Sequence, residues 1–328
     1  KNVKMNNFWF NKSALVLGGN GYLGIEMIQR LLQEGAQVTS LDRGPERSLY
    51  CQTIEGNFEY LCQDLSDFEE LKRTLKENKF DICFNLAGFS NIAKARENPI
   101  EAYKANVQTV CNLLEAFRVL GHFPYTIIAS SNHIYGRQSE YPTPESALLN
   151  SKEIYGVTKG CGDMLARAYA ITYNAPISVA RITNTYGGHE PFRSHLIPYL
   201  ITAIQKNLAP VIKGNPFSMK GFLYVSDTVN GLLALSENME REELWGEAFN
   251  FYPDSNMSVL DVVKTILKVM GRQDLSIEIN KNNSKDIGED IEFLSNSLAK
   301  SKLGWTQEIS LEKGISLSIT DYKKIDKL

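Results

Sequence analysis

Between the apolar run 14–17 and a helical stretch opening near Tyr22, the chain reads Gly18-Gly-Asn-Gly21-Tyr-Leu-Gly24. A turn this tight needs residues without side chains, and it points backbone N–H groups of the following helix at a shared space. Such a strand-glycine-helix start suits the pyrophosphate of a dinucleotide. It also commits the chain to a parallel sheet, because the strand hands over to a helix and not to a hairpin.

The first half of the chain keeps that alternation. Short apolar runs predict strands at 14–17, 37–41, 58–62, 82–86, 126–129 and 177–181, and amphipathic stretches predict helices at 22–34, 68–77, 99–120 and 152–173. The fold class that follows is α/β: a Rossmann-like, doubly wound parallel sheet with a smaller C-terminal substrate-binding lobe. After Asn184 the pattern loosens around Pro191, Pro198, Pro210 and Pro216, and a further helix is expected at 259–270. Residues 1–184 are therefore read as the dinucleotide-binding domain, with 222–245 rejoining it, and 185–221 with 246–328 as the substrate lobe.

Composition narrows the partners. Thirty-five basic against 38 acidic residues give a net charge of −3. No Lys/Arg block is interleaved with aromatics, so a nucleic-acid partner is not expected. The longest apolar runs fall far short of the roughly 20 residues of a membrane span, and no signal-peptide pattern opens the sequence. Five cysteines, Cys51, Cys62, Cys83, Cys111 and Cys161, form no Cys-x-x-Cys, which predicts reduced thiols, no metal centre and a cytoplasmic protein.

Residues for the cofactor can be named. Gly18, Gly21 and Gly24 make the turn, and Tyr22 and Leu23 open the helix. Asp42, at the end of the second strand, can accept from ribose hydroxyls and repel a 2′-phosphate, favouring NAD over NADP. Arg43 argues the other way, since a guanidinium there can pair with that phosphate. Asp64 and Leu65 follow the third strand, where a carboxylate can receive an adenine amino group. Leu86-Ala87-Gly88 ends the fourth strand with small residues that let the backbone approach the cofactor.

The chemistry is expected from Glu153-Ile-Tyr-Gly-Val-Thr-Lys159. Four residues apart on a helix, Tyr155 and Lys159 share a face, so the ammonium can favour the phenolate. Accumulating phenolate near neutral pH takes a drop of about 3 pKa units, or ~4 kcal/mol. Ser131, after the run 126–129, can hold a substrate oxygen through its hydroxyl. Singly these are a packing Tyr, a surface Lys and a turn Ser; in this order after a glycine turn they suggest alcohol oxidation.

With these motifs the chain resembles the extended short-chain dehydrogenases/reductases of the nucleotide-sugar epimerase/dehydratase family. The resemblance extends through Ser130-Ser-Asn-His-Ile-Tyr-Gly136, Arg181-Ile-Thr-Asn-Thr-Tyr-Gly187, Lys220-Gly-Phe-Leu-Tyr-Val-Ser-Asp227, Glu247-Ala-Phe-Asn250 and Leu303-Gly-Trp305. It implies that Tyr155 is the base, that Lys159 binds the nicotinamide ribose and steadies the phenolate, and that Ser131 binds the reacting oxygen. It implies too that Asn184 and the start of the second lobe lie against the diphosphate of a sugar nucleotide, that Lys220 stands where many relatives have Arg and keeps its charge without the bidentate fork, that Ser284-Lys-Asp-Ile-Gly-Glu-Asp290 stands where relatives offer Arg-Pro-Gly-Asp, with Lys285 as a substitute for the Arg, and that a homodimer forms through 99–120 and 152–173.

The reaction turns on Asn132 and His133. Relatives that are 4,6-dehydratases generally carry Asp-Glu there, or Asp-Lys in the CDP-glucose branch, which Gly160-Cys161 and 196–216 also resemble. Asn132 cannot donate a carboxylic proton, whereas His133 can transfer one near pH 7. The reading is an epimerase or dehydrogenase that oxidises a sugar hydroxyl at C4. A 4,6-dehydratase using the altered pair is the alternative, and a catalytically silent NAD-binding sensor is an alternative of another class. His122, His189 and His195 show no metal-ligand spacing and are read as surface or lobe-packing residues.

Overall fold

The structure, a computed structural model, describes residues 8–44, 51–188, 190, 192–280 and 291–325. The stretch 284–290 with Lys285, as well as His189 and Pro191, lies outside the described residues.

Six strands come from the first half: β1 (Ser13–Leu17), β2 (Gln37–Asp42), β3 (Glu59–Cys62), β4 (Ile82–Asn85), β5 (Tyr125–Ser131) and β6 (Ile177–Ile182). Shorter strands follow: β7 (Asn184–Tyr186), β8 (Val211–Ile212), β9 (Met219–Lys220), β10 (Phe222–Tyr224), β11 (Ala248–Phe251), β12 (Met257–Ser258) and β13 (Glu278–Ile279). The main sheet runs β11-β6-β5-β4-β1-β2-β3, every neighbouring pair parallel. Parallel pairs need crossovers, and ten helices are described: α1 (Tyr22–Gln33), α2 (Phe68–Glu77), α3 (Ile92–Glu97), α4 (Pro99–Tyr103), α5 (Thr109–Leu120), α6 (Ile154–Tyr173), α7 (Leu196–Gln205), α8 (Val225–Glu237), α9 (Val259–Val269) and α10 (Leu311–Ile325).

Both faces of the sheet are covered, so its central strands β1 and β4 are buried along nearly their whole length. Ala14 and Val16 of β1 pack into one cluster with Ile25 and Ile28 of α1 and Leu232 of α8. Leu15 and Leu17 turn to the opposite face, against Leu113 and Phe117 of α5 and Ala166 of α6. Local signals end the helices where expected: the Asp67 side chain caps α2 through Glu70 N–H at 3.0 Å, and α5 stops at Gly121 in the left-handed region. A third cluster, separate from these two, gathers Leu200 of α7, Val262 and Ile266 of α9 and Ile315 of α10.

Two elements differ from the sequence reading. The stretch 99–120 is not one helix: between α4 and α5, residues 104–108 form a π-helical turn. Asn106 in that turn clamps Phe89, accepting from its N–H at 2.8 Å and donating to its carbonyl at 3.3 Å, and donates to Thr158 Oγ at 3.0 Å. The wider turn is what lets a buried amide reach both α6 and the loop after β4. The second difference is β11. Read with the second lobe, Ala248–Phe251 is instead the edge strand beside β6, wholly buried, with Trp305 set edge-on against Phe251 at 5.3 Å.

Candidate active site

The strand order reverses between β1 and β4, and at that switch the carboxyl ends of the strands leave a crevice. A cavity of about 1020 Å³ opens there. Its wall runs from Gly18, Gly21, Tyr22, Leu23 and Gly24, past Leu86 and Gly88, to Ser131, Asn132, His133, Tyr155 and Lys159, and on to Asn184 and Lys220. Asp42, Arg43, Asp64, Leu65 and Ala87 stand outside that wall.

Close contact explains the glycines. A Cβ on Gly24 would stand 2.3 Å from the Gly18 carbonyl oxygen, and one on Gly18, whose φ is +80°, 2.7 Å from Ala87 N. The turn thereby brings β1, the start of α1 and the end of β4 into backbone contact. No side chain caps α1 and its first turn holds no acidic residue, which leaves its N–H groups to an anion. Asp42 is tied to the same turn, its carboxylate accepting from Asn20 N–H at 3.0 Å. Asn20 donates in turn to Tyr60 Oη at 2.6 Å, and burial beside Asp42 pushes that phenol up to about 12. Two buried polar atoms at the crevice, Asn85 Oδ1 and Ser130 Oγ, have no hydrogen-bond partner among the described residues. A glycine cradle, an uncapped helix start, a carboxylate at the end of β2 and unspent polar atoms are what an adenine dinucleotide needs, so these residues fit NAD.

Arg43 is exposed. Asp64 is exposed as well and accepts from Ser66 N–H at 2.9 Å, a turn contact that holds its carboxyl below the usual range. Leu65 is buried in the core between the sheet and α5.

The reacting groups come from two elements that meet. β5 ends at Ser131, whose Oγ accepts from His133 N–H at 3.3 Å and so starts the tight turn Asn132–Tyr135. α6 supplies Tyr155 and Lys159. The Tyr155 ring is buried, with the His133 ring edge-on at 5.5 Å. Burial pushes its phenol up while the neighbouring Ser131 hydroxyl acts the other way. Lys159 Nζ donates to Ala129 O at 3.0 Å, and burial pushes the ammonium down to about 8.

Sequence reading missed Glu292. Its carboxylate accepts from Asn132 Nδ2 at 3.0 Å and Asn184 Nδ2 at 3.2 Å, and pairs with Lys220 Nζ at 2.6 Å. Although burial raises its pKa, Lys220 and His133 draw it below the usual carboxylate range. Nothing in the sequence flags it, since it lies 160 residues after Asn132 in a stretch without a motif. His195, read as lobe packing, is in the cavity wall with its Nδ1 2.7 Å from buried Glu190. His122 reaches Phe80 O at 3.3 Å, away from the wall.

A buried ion pair joins β6 to α6. Arg181 of β6 grips Asp163 of α6 through Nε at 2.9 Å and Nη2 at 3.0 Å, with both side chains fully buried. Its Nη1 donates to Tyr135 Oη at 2.8 Å, and Tyr135 donates to Asn250 Oδ1 at 2.7 Å. Arg181, Tyr135 and Asn250, three of the motif residues, are therefore framework rather than chemistry. Among the described residues no group of three or more His, Cys, Asp or Glu is placed to hold a metal ion, and no helix is long and apolar enough to cross a membrane.

Known proteins are similar to this chain over nearly its whole length. The family profile described as GDP-mannose 4,6 dehydratase matches residues 15–317. CDP-glucose 4,6-dehydratase of Salmonella typhimurium is 25% identical over 91% of this chain and 87% of its own. Among solved structures, UDP-glucose 4-epimerase of Thermotoga maritima with UDP-glucose superposes with a TM-score of 0.86 at 23% identity, covering 95% of this chain and 99% of that one. dTDP-glucose 4,6-dehydratase of Bacillus anthracis in complex with NAD gives 0.83 at 22% identity, covering 96% and 98%. The chain belongs to the GDP-mannose 4,6-dehydratase family, within the extended short-chain dehydrogenases/reductases that comprise nucleotide-sugar epimerases and dehydratases.

Proposed function

We propose that this chain is an NAD-dependent enzyme that oxidises the C4 hydroxyl of a nucleotide-diphosphate sugar and restores it with changed configuration, an oxidoreductive epimerase. The observation that carries the reading is the meeting of Ser131, Tyr155 and Lys159 on the wall of the cavity into which the glycine turn opens, with an amide at position 132. The dinucleotide falls to 1–184 with α8, and the sugar nucleotide to the lobe built on α7, α9 and α10.

NAD, when bound, supplies the hydride acceptor. The Tyr155 phenolate, favoured by the Lys159 ammonium on the same helix face, takes the hydroxyl proton at Oη, and Ser131 Oγ–H holds the same oxygen, so the proton leaves as the carbon is oxidised. Lys159 contributes positive charge beside the ribose; with its pKa near 8 it is charged at neutral pH. Asn132 has no carboxylic proton to transfer to a departing hydroxyl, which leaves the ketone to be reduced again. Asn184 and Lys220 meet the substrate. A homodimer through α5 and α6 is part of this reading, supported by exposed apolar side chains at Val119, Val157, Met164 and Ile171.

A second reading, 4,6-dehydration, is favoured by the Glu292 carboxylate touching Asn132 and by the family profile. Incubating the protein and NAD with UDP-glucose, CDP-glucose, dTDP-glucose and GDP-mannose separates the readings by mass and configuration of the product. Unchanged mass with altered configuration is the expected result. Loss of one water replaces the epimerase by the dehydratase, accumulating NADH by a dehydrogenase, and tight NAD binding without turnover by the sensor.

A further inference from the structure

Three polar side chains of the cavity wall converge on one acceptor. Asn132, Asn184 and Lys220 stand on different segments, and all three donate to the carboxylate of Glu292, at 3.0, 3.2 and 2.6 Å. The carboxylate is fixed from its own backbone: Glu292 N–H donates to Met219 O at 2.9 Å, and its carbonyl accepts from Asn256 Nδ2 at 3.0 Å and from the Tyr252 hydroxyl.

An ionised carboxylate only accepts, so it decides which end of each amide faces it. Asn184 spends both Nδ2 protons, one on Glu292 and one on Gly221 O at 3.1 Å. Its remaining hydrogen-bonding atom is the acceptor Oδ1, to which no described residue donates. Asn132 is oriented the same way, with Nδ2 on Glu292 and Oδ1 toward Ser131 Oγ at 3.3 Å. At Lys220 the ammonium meets a full negative charge at contact distance, which cancels most of its pull on a further anion.

We propose that Glu292 is a positioning residue that turns the Asn132, Asn184 and Lys220 wall into a reader of sugar hydroxyls and not a clamp for the diphosphate. This rests on the nucleotide-sugar reading above and deepens it. A phosphate offers only acceptors and finds no amide proton at Asn184; a sugar hydroxyl donates, and Asn184 Oδ1 accepts. The sugar is then held in one orientation before Tyr155, while the nucleotide's phosphates are held elsewhere.

The test compares, for the full chain saturated with NAD, the affinities for four pairs: UDP-glucose with UDP, CDP-glucose with CDP, dTDP-glucose with dTDP, and GDP-mannose with GDP. Calorimetry on whichever pair wild type binds is repeated with Glu292→Gln and Asn184→Ala. Each variant is expected to weaken the sugar nucleotide about tenfold, the worth of a well-placed hydrogen bond, and not to weaken the nucleoside diphosphate by more than about twofold. In turnover KM rises more than kcat falls. Equal weakening of both members of the pair, or no weakening of the sugar nucleotide, overturns the assignment. Asn184→Ala keeps Glu292 in place, so it decides the matter even where Glu292→Gln does not fold. Wild type that binds none of the pairs sinks the nucleotide-sugar reading and the assignment together, whereas binding with a loss shared equally sinks the assignment alone.

Discussion

Lys159 Nζ donates to the carbonyl oxygen of Ala129 at 3.0 Å, tying α6 to β5 just ahead of Ser131. One bond thus sets the distance between the strand that carries the hydroxyl and the helix that carries the phenol. It also leaves an ammonium where burial disfavours its charge, pushing it down to about 8.

That burial predicts a pH dependence. In the unfolded chain a Lys keeps its proton to about pH 10.4, so between about 8 and that value the unfolded state binds more protons than the folded one. Unfolding free energy from this group therefore rises with pH across the window, its penalty complete below pH 8 and gone above about 10.4. Subtracting urea-unfolding free energies of Lys159→Met from wild type at a series of pH values should show that rise. A flat difference contradicts it.

Tyr155→Phe removes only an oxygen from a ring packed against His133. Turnover of a sugar nucleotide should fall by about 10²-fold or more, while NAD affinity by fluorescence titration stays at the wild-type value. Turnover near wild type means that another group takes the proton.

Replacing one partner of the Arg181–Asp163 pair strands a charge in a dry interior. Asp163→Asn is expected to lower stability by about 3–5 kcal/mol, read as a shift of the urea midpoint without a change of slope. A loss below about 1 kcal/mol, the worth of a surface pair, shows that water reaches the guanidinium.

Asn132→Asp sets a second carboxyl at 3.0 Å from Glu292. Two carboxyl groups at that distance share a proton, so one stays protonated at neutral pH and can donate to a leaving hydroxyl. A product lighter by one water should appear in mass spectra. If the variant yields only the wild-type product, the missing carboxyl is not what holds elimination back.

The glycine turn, six parallel strands and the pairing of Tyr155 with Lys159 were legible in the chain because each rests on neighbours in sequence: a turn's sterics, a period of two or 3.6, a spacing of four on one helix face. The π turn at Asn106 was not, since its cause is Phe89 and Thr158, far along the chain. β11 was misplaced for a similar reason: four apolar residues reveal a strand but not the partner that buries them.

By itself the sequence determined the glycine turn at the crevice and the placing of Tyr155 and Lys159 on one helix face. Only the tertiary structure decided that Asn132, Asn184 and Lys220 answer to Glu292, and that Lys159 ties α6 to β5 through the Ala129 carbonyl. The physical reason is range. Turn sterics and helix spacing act over a few residues, while burial and charge act through space, on whatever the packed chain brings within a few ångströms.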